Sequence, residues 1–334
     1  MKKYSETFHD KFKNFIKLNT TKKLKWALRL LGIKYIIYNI VYFFFSKIIK
    51  SKNDFLKGVV FDSLKHANEL TIVKSDFNER FILFTNDNVI SKEMFINGKF
   101  DLVKLERALK FLNQKKKIKT IYDIGANIGV ICIPAVKRGL IENAFAVEPE
   151  KKNFELLKLN ISLNNLEDRV ISYNYALSNK DDEFVEMELA SDNYGDHRIK
   201  NEVNFNIHGE EDRKTVKVKT KKFDTLFKNI NPINDLVWMD TQGFEPIILS
   251  GAKNLIDNKV PIVLEFWPYA LKRSGSWEKM IELLKIFDYF VDLSDQNLTP
   301  IKINDNTVME LCNGWENEKK GLYSLFTDLI LLKE

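Results

Sequence analysis

Three short stretches of this 334-residue chain combine glycines and carboxylates at spacings that could do chemistry. The first is Tyr122-Asp123-Ile124-Gly125-Ala126-Asn127-Ile128-Gly129, where an apolar run gives way to a helical pattern. Glycines at such a turn let a bulky ligand approach the backbone, because no Cβ stands in the way, and Asp123 offers a carboxylate beside them. The second is Glu148, at the end of the next apolar run and followed by Pro149, which suits a first helical position. A carboxylate there can accept hydrogen bonds from both hydroxyls of a ribose, or simply stand in solvent at a helix start. The same layout serves NAD. Against that, the glycines fall as GxxxG, at Gly125 and Gly129, and lack the GxGxxG that admits a pyrophosphate.

The third stretch is Met239-Asp240-Thr241-Gln242-Gly243-Phe244-Glu245. Asp240 could orient an acceptor hydroxyl or take its proton as a general base, although an Asp before a helix also serves as a cap. Gln242 could hold substrate or backbone, and Glu245 could neutralise a cation or pair with a base. Glu265, after a later apolar run, is a second carboxylate able to converge on the same cleft. Between these stretches, Ser191-Asp192-Asn193-Tyr194-Gly195-Asp196-His197-Arg198 reads as a lid over an acceptor. His197 is a natural general base near neutral pH, Arg198 could bind a phosphate or carboxylate, and Asn193 lies beside them as a substrate contact. A solvated polar loop would collect the same residue types.

The elements that must position these groups follow from periodicity. Apolar runs at Thr71–Val73 and Phe81–Thr85, separated by turn formers, predict a small hairpin. Leu102, Leu105, Leu109 and Leu112 then recur at helical spacing. From Thr120 strands and helices alternate: strands at 120–124, 144–147, 170–175, 236–239 and 262–266, helices at 127–138, 150–164, 223–227, 246–249 and 277–287, and a last apolar strand at 325–332. That order predicts a mostly parallel sheet with helices on both faces. The domain reading is an amino-terminal extension, 1–65, a lead-in hairpin and helix, 66–118, and a catalytic core, 119–334.

Composition narrows the classes. Hydrophobic residues at 45% and charged residues at 29% suit a globular protein. Charge is uneven: residues 1–53 hold 13 Lys and Arg against 2 Asp and Glu, while the remainder holds 39 against 44. The body therefore lacks the basic balance of a phosphate-tracking surface, and no nucleic-acid partner is expected. Cys132 and Cys312 are the only cysteines, too few for a disulfide framework or a cysteine zinc site, and they fit a reducing cytoplasm. His9, His66, His197 and His208 show no tight ligand spacing, so any divalent metal would rely on carboxylates. Whether one assists stays open. Residues 22–52 are apolar and flanked by lysines, but the uncharged run 35–46 is short of a bilayer span. They are expected either to pack on protein or to lie at the inner face of an anionic membrane.

Taken in order, DIGANIG, AVEPEKKNFELLKLNISLNN, YALSN, WMDTQGFEPIILSGAKNLI and PIVLEF resemble the FkbM-type methyltransferase family over roughly residues 80–292. The resemblance implies a class I, Rossmann-like methyltransferase fold with S-adenosylmethionine as donor. It also implies a hydroxyl acceptor on a sugar, a glycan or another small natural product. By position it places Asp123, Gly125, Asn127 and Gly129 around the methionine part, Glu148 on the ribose, and Tyr175, Ala176 and Leu177 at the adenine. The alternative kept beside it is a degenerate scaffold that binds cofactor within a membrane-associated glycan-assembly complex.

Overall fold

The computed structural model describes residues 54–75, 77–200, 213–315 and 325–334. The expectations for residues 22–52 lie outside these. The chain divides into two units, Met1–Val60 and Phe61–Glu334, five residues before the boundary expected, and the second unit holds the site. Among the described residues no helix is long and apolar enough to cross a membrane.

The first described helix is α1 (Asp54–Leu64). The lead-in follows as β1 (Leu70–Lys74), β2 (Arg80–Phe84), α2 (Ile90–Asn97) and α3 (Leu102–Leu112). The core then runs β3 (Thr120–Ile124), α4 (Cys132–Lys137), β4 (Asn143–Val147), α5 (Lys151–Leu163), β5 (Val170–Tyr173) and β6 (Ala176–Leu177). An insertion supplies β7 (Phe184–Leu189), a 3-10 turn (Tyr194–Asp196), β8 (Arg198–Ile199) and β9 (Lys214–Lys221). The chain returns through α6 (Phe223–Leu226), β10 (Asp235–Met239), α7 (Glu245–Ser250), α8 (Lys253–Asp257), β11 (Ile262–Phe266), α9 (Pro268–Arg273) and α10 (Trp277–Leu284). It closes with β12 (Tyr289–Asp292), β13 (Ile301–Lys302), α11 (Asp305–Trp315) and β14 (Thr327–Leu332).

Eight strands form the main sheet in the order β13-β12-β14-β11-β10-β3-β4-β5. The five from β5 to β11 are parallel, and β14 enters antiparallel between β11 and β12. Five parallel strands with a reversal at β3, one antiparallel strand inserted near the far edge, and helices on both faces make the class I methyltransferase fold. Ligands of such sheets sit at the carboxyl ends of the strands where the order reverses, here between β3 and β10. The central strands are largely apolar, with Asp123, Asp235 and Glu265 as their charged residues, because both of their faces are covered. Ile121, Trp238, Val263 and Ile330 pack into one core layer, whereas their neighbours Tyr122, Val237, Leu264 and Leu329 pack into the other.

The β1–β2 hairpin is tied to the core by a match of spacings. Asn160 and Asn164 lie one helical turn apart on α5, about 6 Å along the axis, and alternate residues of a strand are about 6.6 Å apart. Each carboxamide can therefore serve one free position on the edge of β2. Asn160 Oδ1 accepts from the Ile82 amide at 2.7 Å and its Nδ2 donates to the Ile82 carbonyl at 3.2 Å. Asn164 does the same for Arg80, at 2.9 and 2.7 Å. Asn160 also donates to the Ile128 carbonyl at 3.0 Å, which joins the hairpin to the glycine-rich turn. Asn160→Ala leaves three backbone groups without that partner, so a loss of about 2–4 kcal/mol is expected in urea unfolding. A change within about 0.5 kcal/mol would show that water replaces the amide.

Candidate active site

β3 and β10 stay paired to their last residues, Ile124 against Met239, and the Asp240 amide donates to the Ile124 carbonyl at 3.0 Å. Gly125 follows with φ +86°, and a Cβ there would collide with the Asp240 carbonyl oxygen. Glycine is therefore required by the approach of two strand ends. The amides that follow are all engaged within the protein. Those of Gly125 and Ala126 donate to the Val147 carbonyl at 3.0 Å, and that of Gly129 to Ala126 at 2.8 Å. That of Asn127 donates to Glu148 Oε2 and that of Ile128 to Asn127 Oδ1, both at 2.8 Å. A pyrophosphate binds this kind of turn through free amides. With none left from 125 to 129, the turn suits a ligand without phosphates.

Glu148 stands at the end of β4, 4% exposed, with Oε2 on the Asn127 amide and Oε1 on the Glu150 amide at 2.8 Å. Burial pushes its carboxyl up to about 8, against the pull of those two amides. Each oxygen keeps acceptor capacity beyond its one amide. A cleft of about 540 Å3, open to solvent, is lined by Gly125, Asn127, Glu148, Asp240 and the apolar wall of Tyr175, Ala176, Leu177, Phe244 and Ile248. A second cleft of about 410 Å3 shares Gly125, Asn127 and Asp240 and adds Asp101, Asp123 and Asp328. Asp123 accepts from the Cys132 amide at 3.2 Å, and burial pushes it up to about 6. A ribose-sized carboxylate site, an apolar slot and an acidic second chamber are the donor set that a nucleoside joined to an amino acid calls for, so the residues fit S-adenosylmethionine.

After β10 the chain turns sharply at Gln242 (φ +58°) and Gly243 (φ +91°). Gly243 lies against the Ala270 carbonyl, where a Cβ would not fit. Glu245 is fully buried and holds this turn: its Oε1 accepts from the Thr241 amide at 2.8 Å, the Thr241 hydroxyl at 2.9 Å and the Gly243 amide at 3.4 Å. Glu245, expected to contact substrate, is thus placed inside the turn, with Oε1 on these three donors. Gln242 Nε2 donates to Asp240 Oδ1 at 2.8 Å and to Glu265 Oε2 at 3.3 Å, bridging the two carboxyls. Burial, with Asp328 and Glu245 nearby, pushes Asp240 up to about 7. Burial and the charge of Asp240 hold Glu265 well above the usual carboxylate range. Lys104, which pairs with Asp328 at 2.8 Å and Asp101 at 3.1 Å, is the cation that moderates this group.

The insertion forms a wall of the first cleft, with Tyr194, Gly195, His197 and Arg198 lining it. It is tied at both ends. Asn127 and Asn153 both donate to the Tyr194 carbonyl, at 2.9 and 3.3 Å, and the Tyr194 amide donates to Asp87 at 3.3 Å. His197 Nδ1 accepts from the Ala190 amide at 3.1 Å, and burial pushes the imidazole down to about 4. A neutral ring whose Nδ1 accepts carries its hydrogen on Nε2. His197 thus offers a donor, which corrects the expectation that it acts as a base. Arg198 is 2% exposed and paired with Glu188 at 3.1 Å and Asp196 at 3.5 Å, so it braces the insertion. Asn193 caps the 3-10 turn through the Gly195 amide, and neither cleft includes it. Gly129 also lies outside both clefts and packs on Ile133 and Leu157. Asn153, Asp87, Lys104 and Asp328 escape a reading by motif, because each stands in an ordinary polar context and only the fold brings it to the edge. Among the described residues no group of histidine, cysteine and carboxylate side chains could hold a metal ion.

The family model of the FkbM methyltransferase domain matches residues 123–291, just over half the chain. No curated protein matches the sequence. Among solved structures, the Pyrococcus horikoshii protein TYW2 in complex with MeSAdo shares 13% identity, covering 80% of this chain and 73% of that one, with a TM-score of 0.34. The METTL16 methyltransferase domain shares 11%, covering 84% and 81%, at 0.40. The O-methyltransferase segment of StiE shares 15%, covering 69% and 72%, at 0.35.

Gly125→Ala adds a methyl group where the Asp240 carbonyl already lies, in a backbone conformation that disfavours alanine. A loss above about 4 kcal/mol, or failure to fold, is expected from circular dichroism and urea titration. Gly139, also left-handed (φ +72°) but with open space around it, is the control. Gly139→Ala should cost about 1 kcal/mol; equal losses at both sites would reduce the Gly125 effect to backbone conformation alone.

Proposed function

Because this chain belongs to the FkbM methyltransferase family, we propose that it transfers a methyl group from S-adenosylmethionine to a hydroxyl oxygen of a sugar, a glycan or another small natural product. The observation that carries the reading is the glycine-rich turn, whose five amides are spent inside the protein while the Glu148 carboxyl beside them keeps acceptor capacity. S-adenosylmethionine supplies a methyl group on a sulfonium, a good leaving group, so the protein chiefly has to align the acceptor and remove one proton. Glu148 would hold the ribose, and Tyr175, Ala176 and Leu177 would border the adenine. Asp123, in the acidic second cleft, would face the amino-acid part.

Asp240 stands where both clefts meet, which makes it the group to receive the acceptor's proton. A base works best with a pKa near the operating pH, and burial has brought Asp240 there. Gln242 holds one of its oxygens, fixing the carboxyl's direction without neutralising it. Glu265, held well above the usual carboxylate range by burial and the charge of Asp240, lines neither cleft and shares the Gln242 amide with Asp240. His197 Nε2–H adds a neutral donor to the wall opposite.

Calorimetric titration with S-adenosylhomocysteine should give micromolar binding, weakened about 10- to 100-fold in Glu148→Ala, as expected for losing the acceptor of two hydroxyl hydrogen bonds. Absence of binding to well-folded wild-type protein would favour the degenerate-scaffold reading. Asp240→Asn should bind S-adenosylhomocysteine within a few-fold of wild type and lose about 100- to 10,000-fold in turnover. Undiminished turnover in that variant removes Asp240 from the chemistry. The base must be ionised, and its ionised fraction rises with pH, so kcat/KM should climb up to tenfold per unit below about 7 and level off above it. The limb belongs to the Asp240–Glu265 pair, because neighbouring carboxyls titrate together. A flat profile from pH 5 to 8 would contradict a carboxylate base.

A further inference from the structure

One buried polar atom in the first cleft has no role in the account above. Asn153, in the first turn of α5, lines the cleft and is 1% exposed. Its backbone amide donates to Glu150 Oε2 at 2.7 Å, which caps the helix. Its Nδ2 faces the Tyr194 carbonyl at 3.3 Å, and only the nitrogen of a carboxamide can face a carbonyl, so the orientation of the side chain is fixed. Among the described residues the oxygen, Oδ1, has no hydrogen-bond partner. A buried acceptor left in this state costs stability, because its lost hydration is not replaced.

The surroundings point to what completes it. Asn127 joins Asn153 to Glu148: its amide nitrogen donates to Glu148 Oε2, and its side chain shares the Tyr194 carbonyl with Asn153. Glu150 makes the same link from the other side, donating to Glu148 Oε1 and accepting from the Asn153 amide. The Asn153 side chain is thus linked to Glu148 through the Tyr194 carbonyl and Asn127, its backbone amide is linked to Glu148 through Glu150, and both residues line the same cleft. Resting on the donor reading above, we propose that Asn153 is a donor-binding residue whose carboxamide oxygen accepts a hydrogen bond from a ribose hydroxyl held jointly with Glu148. A neutral acceptor beside a carboxyl that is itself close to protonation keeps the diol bound across the neutral pH range. The second hydroxyl then has a partner even when Glu148 carries a proton.

The test uses the full chain and calorimetric titration with three probes: S-adenosylhomocysteine, 5′-methylthioadenosine, which lacks the amino-acid part, and the 2′,3′-dideoxy counterpart of 5′-methylthioadenosine. Asn153→Ala should weaken the first two by a similar factor, tenfold or more, and narrow the wild-type preference for 5′-methylthioadenosine over its dideoxy counterpart. Its urea midpoint should stay near wild type, because the substitution also removes an unsatisfied atom. Asn153→Ser keeps a smaller acceptor without setting an oxygen against the Tyr194 carbonyl and should lose less affinity for 5′-methylthioadenosine than Asn153→Ala, which guards against a variant that merely fails to fold. A loss confined to S-adenosylhomocysteine would assign the oxygen to the ammonium group instead and overturn the ribose assignment. Unchanged affinity with lowered stability would make Asn153 purely structural. Wild-type protein that binds none of the three probes would sink the donor reading first, and this inference with it.

Discussion

The cleft depends on two parallel strands keeping register to their ends. β3 and β10 run side by side until the Asp240 amide meets the Ile124 carbonyl, and only then do the chains part, one into the glycine-rich turn and the other into the turn held by Glu245. That late divergence leaves no space for a side chain at 125, and it sets the distance between the glycine-rich turn beside Glu148 and the Asp240 carboxyl. The two groups of residues are far apart in sequence and share no helix or loop. What aligns them is the backbone ladder, the stiffest part of a sheet buried on both faces.

A second theme is the concentration of carboxyls at the sheet's carboxyl edge. Asp123, Asp240, Glu245, Glu265 and Asp328 come from four neighbouring strand ends and the turn after one of them, and each is shifted upward by burial. Such a group would be unstable fully ionised. Amide donors, the Gln242 bridge and Lys104 offset part of the cost, and proton sharing offsets the rest. The outcome separates similar side chains: Glu245 is bonded to backbone, Glu265 is held well above the usual carboxylate range, and Asp240 is brought to about 7.

Much of this was legible in the sequence, for identifiable reasons. β3, β4, β10 and β11 are unbroken apolar runs ending in motif residues, so their position and their parallel order could be read from alternation with helices. The helix after the glycine-rich turn starts later than the periodicity suggests, at Cys132 rather than Asn127, because Asn127 and Gly129 adopt positive φ and use the intervening residues as a turn. The strands β7 and β9 were not anticipated, although FVEMEL and KTVKVKTK alternate at period two. Their charged positions face outward, and so many lysines and glutamates disguise a half-buried strand as a polar linker. His197, Arg198 and Glu245 each have partners that the sequence does not show. Residue type announces chemical capacity, but whether that capacity is already consumed by a neighbouring amide or counter-charge depends on packing that no local pattern records.

The place of β14 has a consequence for how the site comes into being. It is the last strand in chain order, yet it lies between β11 and β12, both of which precede it. During synthesis those two strands can form while the slot between them stands open, and Asp328, with the Lys104 pair it completes, is missing until β14 fills it. A nascent chain therefore carries every residue that lines the first cleft, the last of them Ile248, well before it carries a finished second cleft, which waits for Asp328. The two halves of one site are thus separated in time along the chain although they adjoin in space.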